Sequence, residues 1–284
     1  MANYKPEDLH RIWRTEIEIY RAIAAICERH GLRYYAAYGT TLGAVRHGGF
    51  IPWDDDMDVC MPRKDYDAFL KYAEKELPEK LKIEGIGYSK GSVMPFVKIA
   101  NKKTVFVEAS DAEKKLRTGI FVDIFPMDTA APTETLKRKQ RRKCMLYGRA
   151  MVLAEYGRGK LPEGINPVAG ALVQAGCGLI HGCLKLLRLD TAHFYRAFYR
   201  EATRYETGEP KEYVLQAYFS EFATEYAPAE WFFPTAEIPF EDITVKVPKE
   251  TDAYLRNMYG EYMKLPPVEE QHNHYPIELK FEEE

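Results

Sequence analysis

Residues 34–62 read YYAAYGTTLGAVRHGGFIPWDDDMDVCMP. The aspartates Asp54, Asp55, Asp56 and Asp58 crowd between the turn-forming GGFIPW and the apolar Met57, Val59, Cys60 and Met61. In an extended chain, alternation puts Asp56 and Asp58 on one face and Met57 and Val59 on the other. Two carboxylates side by side on a half-buried strand repel each other unless a cation sits between them. The stretch therefore predicts a divalent-metal site carried by a strand.

Just before it, LRYYAAYG (32–39) predicts a buried strand ending at Gly39, and Gly39-Thr40-Thr41 opens a short helix, TLGAVR. A strand running through a glycine-hydroxyl pair into a helix presents backbone amides to an anion, as phosphate sites do. Arg46 and His47 end that helix, and Gly48-Gly49 release the chain into the aspartates. Residues 6–30 predict a longer helix, with Pro6 near its start, Glu7 and Asp8 in its first turn and Gly31 past its end. Leu9, Ile12, Trp13, Ile17, Tyr20, Ile23 and Cys27 give it one apolar face.

Downstream, Pro62 starts a helix that ends before Pro78. Strand-like segments follow: KLKIEG, MPFVKIAN, TVFVEAS and GIFVDIFPMD. The last carries Asp123 and Asp128 among β-prone residues. An acid alternating with aromatics on a central strand calls for a metal or a buried salt bridge. From Thr133 to about Tyr156 the pattern is helical and begins with the basic run LKRKQRRK, read as a solvated face. Residues 165–187 are the most apolar stretch, but Asn166, Pro167, Gln174 and His181 interrupt it. They predict a core helix, or one lying on a membrane surface, rather than a span. Residues 190–206 form an amphipathic helix, VLQAYF and IPFEDITVKVP form strands, the second turning at Glu241-Asp242, and KETDAYLRNMYG forms a helix.

The chain of 284 residues can bury a sizeable core, and 46% apolar with 29% charged residues is ordinary for a globular protein. A net charge of −3 argues against a protein that coats nucleic acid. Five scattered cysteines without a CxxC pair suit reduced thiols and offer no zinc site. The polar start, MANYKPEDLHRIW, predicts no secretion signal and a cytoplasmic protein.

Asp54, Asp56 and Asp58 mimic positions 1, 3 and 5 of a calcium-binding EF-hand loop, but position 6 needs glycine and holds Val59. A catalytic Mg2+ or Mn2+ site fits the carboxylates better. Phosphoryl transfer needs metals on phosphate oxygens, donors to cradle them and a base for the nucleophile. Asp56 and Asp58 supply ligands, Gly39, Thr40 and Thr41 amides and hydroxyls, and Arg46 or Lys98 a phosphate clamp. Asp123 is the expected third carboxylate. His47, His274 and Trp53 complete the candidate substrate-binding set.

The run YGTTLGAVRHGGFIPWDDDMDVCMPRKDYDAFL closely resembles the signature of the LicD family, whose relatives include fukutin and fukutin-related protein. GIFVDIFPMDTAAP (119–132) and the tail MYGEYMKLPPVEEQHNH from 258 match it too. The resemblance implies an α/β fold of the α+β type: a nucleotidyltransferase-like mixed sheet flanked by helices. The chain is expected to form one domain over 1–284, with a helical insertion at about 133–207. Asp56 and Asp58 then look like the metal pair, Asp123 like the third acid, Asp54 like a further ligand or an orienting group, and Gly39-Thr40 like the phosphate turn. The implied reaction moves phosphocholine, or a similar phospho-alcohol, from CDP-choline or another CDP-alcohol to a sugar hydroxyl. That hydroxyl belongs to a cell-surface glycan or teichoic acid precursor, free or lipid-linked. CMP leaves, and peripheral membrane contact is part of the expectation. The competing readings are a nucleotidyltransferase that attacks an α-phosphorus and a non-catalytic binding protein of the same fold.

Overall fold

A computed structural model describes residues 4–114, 116–159, 161, 164–215 and 226–282. Helix α1 (Pro6–His30) begins on its proline and stops where Gly31 turns left-handed (φ 63°), which lets Leu32 N–H close on Cys27 O at 2.9 Å. Strand β1 (Tyr35–Ala36) leads into α2 (Tyr38–His47), and β2 (Asp58–Pro62) into α3 (Arg63–Glu76). Next come β3 (Leu81–Glu84), β4 (Val97–Asn101), β5 (Val105–Val107), the short α4 (Ala109–Glu113) and the long β6 (Phe121–Thr129). Three helices follow, α5 (Glu134–Tyr156), α6 (Pro167–Leu186) and α7 (Thr191–Ala202). The chain returns through β7 (Glu212–Val214), β8 (Tyr226–Pro228), the hairpin β9 (Ala236–Phe240) and β10 (Ile243–Val247), α8 (Thr251–Tyr259) and β11 (Glu278–Lys280).

The expected α/β fold is the one observed. The central sheet runs β1-β2-β6-β4-β3, with β7 on the far end of β6 and β8 beyond it. Its pairings are antiparallel except β2 with β6, which run parallel. Alternation sorts side chains between the two faces. Val59, Met61, Val122 and Ile124 join the core that buries α1 and α3. Cys60 and Met127 join a second core with Leu42, Tyr254 and Phe232. Asp58 and Asp123 share the parity of Cys60 and Phe125, so they face away from α1 and α3.

Several expectations change. The strand expected to reach Gly39 stops at Ala36, because Ala37 N–H closes on Asp58 O and Ala37 O takes the N–H groups of Thr40 and Thr41. Gly39 thus lies in the first turn of α2. Strand β2 begins at Asp58, which leaves Asp54, Asp55 and Asp56 in the irregular approach to it. Strand β5 stands outside the central sheet and pairs with β11. In the basic run, Lys137 turns inward to Glu212 (2.6 Å) and Glu134 (2.9 Å), while Arg138, Lys139 and Arg142 face solvent. The core-helix alternative for 165–187 fails: of α6 only Gly170 is buried. The hairpin turns at Glu241-Asp242 as expected, whereas VLQAYF lies mostly outside the described residues.

Candidate active site

The registers of three neighbouring strands set charged residues in a row. Asp58 of β2 stands opposite Asp123 of β6, and Asp123 stands opposite Lys98 of β4. Adjacent strands lie about 4.8 Å apart, so the row is a contact array. Lys98 Nζ sits 3.7 Å from Asp123 Oδ1 and 3.3 Å from the centre of the Phe121 ring. That separation is too long for a hydrogen bond, and Asp123 Oδ1 is buried with no hydrogen-bond partner among the described residues. Asp128, five residues on, is different: it takes Arg63 in a buried bidentate pair at 2.7 and 2.9 Å. The metal and salt-bridge explanations of acids on this strand thus divide between its two aspartates. Asp128 has its arginine; Asp123 has an unfilled oxygen.

Helix α2 braces the row. Thr40 Oγ1 accepts Asp58 N–H at 2.8 Å, and Thr41 Oγ1 donates to Ala36 O. The tyrosine hydroxyl of Tyr254 takes Tyr38 N–H at 3.0 Å. Gly39 N–H has no partner among the described residues, which makes it the free amide of this helix start. A Cβ on Gly39 would come 2.9 Å from Asp54 Oδ2, so glycine here leaves room for that carboxylate. Asp54 is held in turn by Trp13 of α1, whose Nε1–H donates to Asp54 O at 2.9 Å while its ring stacks on Phe50.

The tail closes over the acids. His274 N–H donates to Asp55 Oδ1 at 2.9 Å, and His274 Nδ1 lies 3.3 Å from Asp55 Oδ1 and 3.4 Å from Asp56 Oδ2. The Tyr4 hydroxyl donates to the other Asp55 oxygen. The hydrogen bond to Asp55 holds the His274 pKa up, at about 10. Among the surrounding carboxyls, burial and then the charge of Asp56 push Asp54 and Asp58 well above the carboxylate range; burial raises Asp56, though His274 draws it down. Burial lifts Asp123 to about 6 against the pull of Lys98.

Sequence reasoning assigned no role to Asp55, Tyr4, Glu108, Tyr254 or Glu16. Glu16 is fully buried on α1, is raised by burial and then by Asp56, Asp55, Asp54 and Asp58, and keeps Oε2 unpartnered. Its signal was a lone acid in the apolar stripe, four residues from both Ile12 and Tyr20. Asp54, Asp56, Asp58, Asp123, Gly39, Thr40, Lys98 and His274 come together here. Arg46, His47 and Trp53 gather at the other end of α2, where Arg46 donates to Tyr262 O at 2.8 Å and to His47 Nε2 at 3.0 Å, and His47 meets Trp53 edge-on. A cavity of about 340 Å³ opens beside the row, lined among others by Lys98, Phe96, Glu108, Lys114 and Tyr156.

The donor atoms of Asp54, Asp55 and His274 lie within 4.8 Å of one another. Asp55 already holds Tyr4 and His274, whereas Asp54, Asp56, Asp58 and Asp123 form a carboxylate set with too little positive charge facing it. Carboxylate oxygens and an orphaned buried oxygen fit a hard divalent cation such as Mg2+ or Mn2+.

A mixed sheet with acids side by side on neighbouring strands, behind a glycine-threonine helix start, defines a nucleotidyltransferase-type domain. The family model for the LicD/FKTN/FKRP nucleotidyltransferase domain matches residues 31–146. Lipopolysaccharide cholinephosphotransferase LicD of Haemophilus influenzae is 30% identical over 260 residues, which cover 88% of this chain and 89% of that protein. The chain belongs to the LicD family. Ribitol 5-phosphate transferase FKRP of Homo sapiens and of Mus musculus matches locally, 45% identical over 42 residues, 15% of this chain and 8% of each relative.

Proposed function

We propose that the protein transfers phosphocholine, or a similar phospho-alcohol, from a CDP-activated donor to a sugar hydroxyl of a cell-surface glycan precursor. The observation that carries this reading is Asp123, beside Asp58 in register and with a buried oxygen that has no hydrogen-bond partner among the described residues. The cholinephosphotransferase named among its relatives supports the choice of alcohol. Asp58 and Asp123, with Asp56 and Asp54 beside them, would hold Mg2+ or Mn2+. Bound there, the cation would neutralise phosphate oxygens and ease departure of the nucleotide.

The residues of the chain do the rest. Gly39 N–H offers a donor to a phosphate oxygen, and Thr40 steadies Asp58 through its backbone. Lys98 stands between the acid row and the cavity, where it would meet the anionic donor. The acceptor oxygen forms the new bond to the phosphorus that bears the alcohol, and the bond from that phosphorus to CMP breaks. The acceptor proton passes to a carboxylate, Asp58 or Asp123, and CMP leaves with the bonding electron pair.

The test is to incubate the protein with CDP-choline, Mg2+ and a sugar acceptor and to follow CMP. Asp58→Asn should abolish release while circular dichroism stays that of the wild type. Near-normal turnover by the folded variant would remove the metal role. Pyrophosphate release from CTP, without CMP from CDP-choline, would make the protein a nucleotidyltransferase instead.

A further inference from the structure

Helix α6 reverses the usual distribution of side chains. Its two hydrogen-bonding residues in mid-helix turn toward the protein. Gln174 donates to Gly159 O at 2.7 Å and accepts Gly159 N–H at 3.2 Å, and His181 Nδ1 lies 3.0 Å from Leu153 O. The aliphatic residues turn outward: Leu172 is 69% exposed, Leu179 74% and Leu186 85%, with Val168 and Ile180 also in the open. A helix that meets water arranges itself the other way. A contiguous apolar surface of this kind marks a face that meets something other than water.

Within the helix and the turn that ends it the charges are basic, and the exposed Asp190 follows at the start of α7. From Gly164 to Leu189 there is no acidic residue, and the helix ends in Lys185-Leu186-Leu187-Arg188, where all four side chains are exposed. Arg158, between the two glycines that meet the middle of the helix, is exposed too. We infer that α6 lies along the surface of a lipid bilayer rich in anionic headgroups, its leucines in the acyl boundary and Lys185 and Arg188 among the phosphates. Spanning is inconsistent with the anchoring. It would strip Gln174 and His181 from their backbone partners, and the chain re-enters the fold directly after the helix, where Thr191 Oγ1 donates to Glu155 at 2.7 Å.

The helix also sits beside the cavity next to the acid row. Tyr156 lines that cavity, and the next residue, Gly157, lies so close to His181 that a Cβ would come 3.0 Å from its ring. Docking through α6 would set the cavity at the lipid surface, within reach of a sugar carried on a lipid. That last consequence rests on the transferase reading; the docking does not.

The experiment is sedimentation of the full chain with vesicles of phosphatidylcholine alone or mixed with phosphatidylglycerol. The protein should bind the anionic vesicles, bind less at high salt, and bind roughly tenfold more weakly or worse once Leu172→Ser, Leu179→Ser and Leu186→Ser are combined. These side chains are exposed, so the triple variant should fold; Val268→Ser, at an equally exposed position in the C-terminal segment, should bind like the wild type. CMP release with a water-soluble acceptor should be the same in both variants. Failure of the wild type to bind, or equal binding by the triple variant, overturns the inference. A dimer seen by light scattering that the triple variant abolishes, without vesicle binding, would overturn it too and make the face an interface between copies. Binding is read without turnover, so it stands or falls apart from the transferase reading.

Discussion

Replacing Asp123 by asparagine should stabilise the metal-free protein, which is the reverse of what removing a buried ion-pair partner does. The carboxyl has Asp58 on one side in register and Lys98 3.7 Å away on the other, and burial lifts its pKa from 3.8 to about 6. Ionising it at neutral pH therefore costs about 3 kcal/mol relative to the unfolded chain. The Asp123→Asn substitution removes that cost, in which the pull of Lys98 is already included. The expected gain is about 3 kcal/mol at pH 8 in a chelator. The sign follows from linkage: the folded state holds this proton longer than the unfolded one, so wild-type stability falls as pH climbs from 3.8 through about 6 and is level above. The advantage of the variant should shrink from pH 8 toward pH 5. Saturating Mg2+ or Mn2+ should erase it, because the cation stabilises only a site that binds it, by about 2.7 kcal/mol at a hundredfold excess over Kd. Urea unfolding of both proteins, with and without metal, measures all of this. If the Asp123→Asn variant is the less stable protein at pH 8 in chelator, Asp123 is the structural partner of Lys98 and this strand has no need of a metal.

Asp128→Asn should do the opposite and destabilise by about 3–5 kcal/mol, because it strands the buried Arg63 guanidinium. CMP release per folded molecule should stay near wild type, and a loss below about 1 kcal/mol in urea would contradict the pair. Thr40→Val removes the acceptor of Asp58 N–H and should cost about 1–3 kcal/mol and lower kcat, with Thr40→Ser restoring both. A valine variant as stable and active as wild type would leave Thr40 without a bracing role. Because contact with Asp55 holds His274 at about 10, the stability it contributes is fully present below 6.5 and lost as pH rises through about 10. Its ring nitrogens should show no titration step between about pH 6 and 8 by NMR, and a midpoint near the ordinary histidine value of about 6.5 would separate the tail from the acids.

Much of the site lies within one short segment, which is why it is legible early. The crowding of Asp54 to Asp58, the glycine-threonine pair before it and the apolar strand after it are all local patterns, and each maps to a turn, a helix start or a strand. The apolar stripe and end signals of α1 and the turn at Glu241-Asp242 were legible for the same reason. Partnerships were not. Asp123 and Asp128 stand in one strand among similar neighbours, and only the packing of α3 gives Asp128 an arginine while the register of β2 and β4 sets Asp123 between Asp58 and Lys98. Asp55 meets His274 across 219 positions of chain, and Glu16 reaches the acids from a helix whose stripe reads as ordinary core.

The sequence by itself determined the elements, the acids of the central strands and the apolar character of 165–187, because side-chain periodicity and local backbone preference are written within single segments. Only the tertiary structure decided which acid is neutralised and which is left open, that Gly39 belongs to a helix, and that the apolar helix turns its leucines outward. Those outcomes depend on strand register and on which surfaces remain uncovered once the layers pack, and no local pattern encodes either.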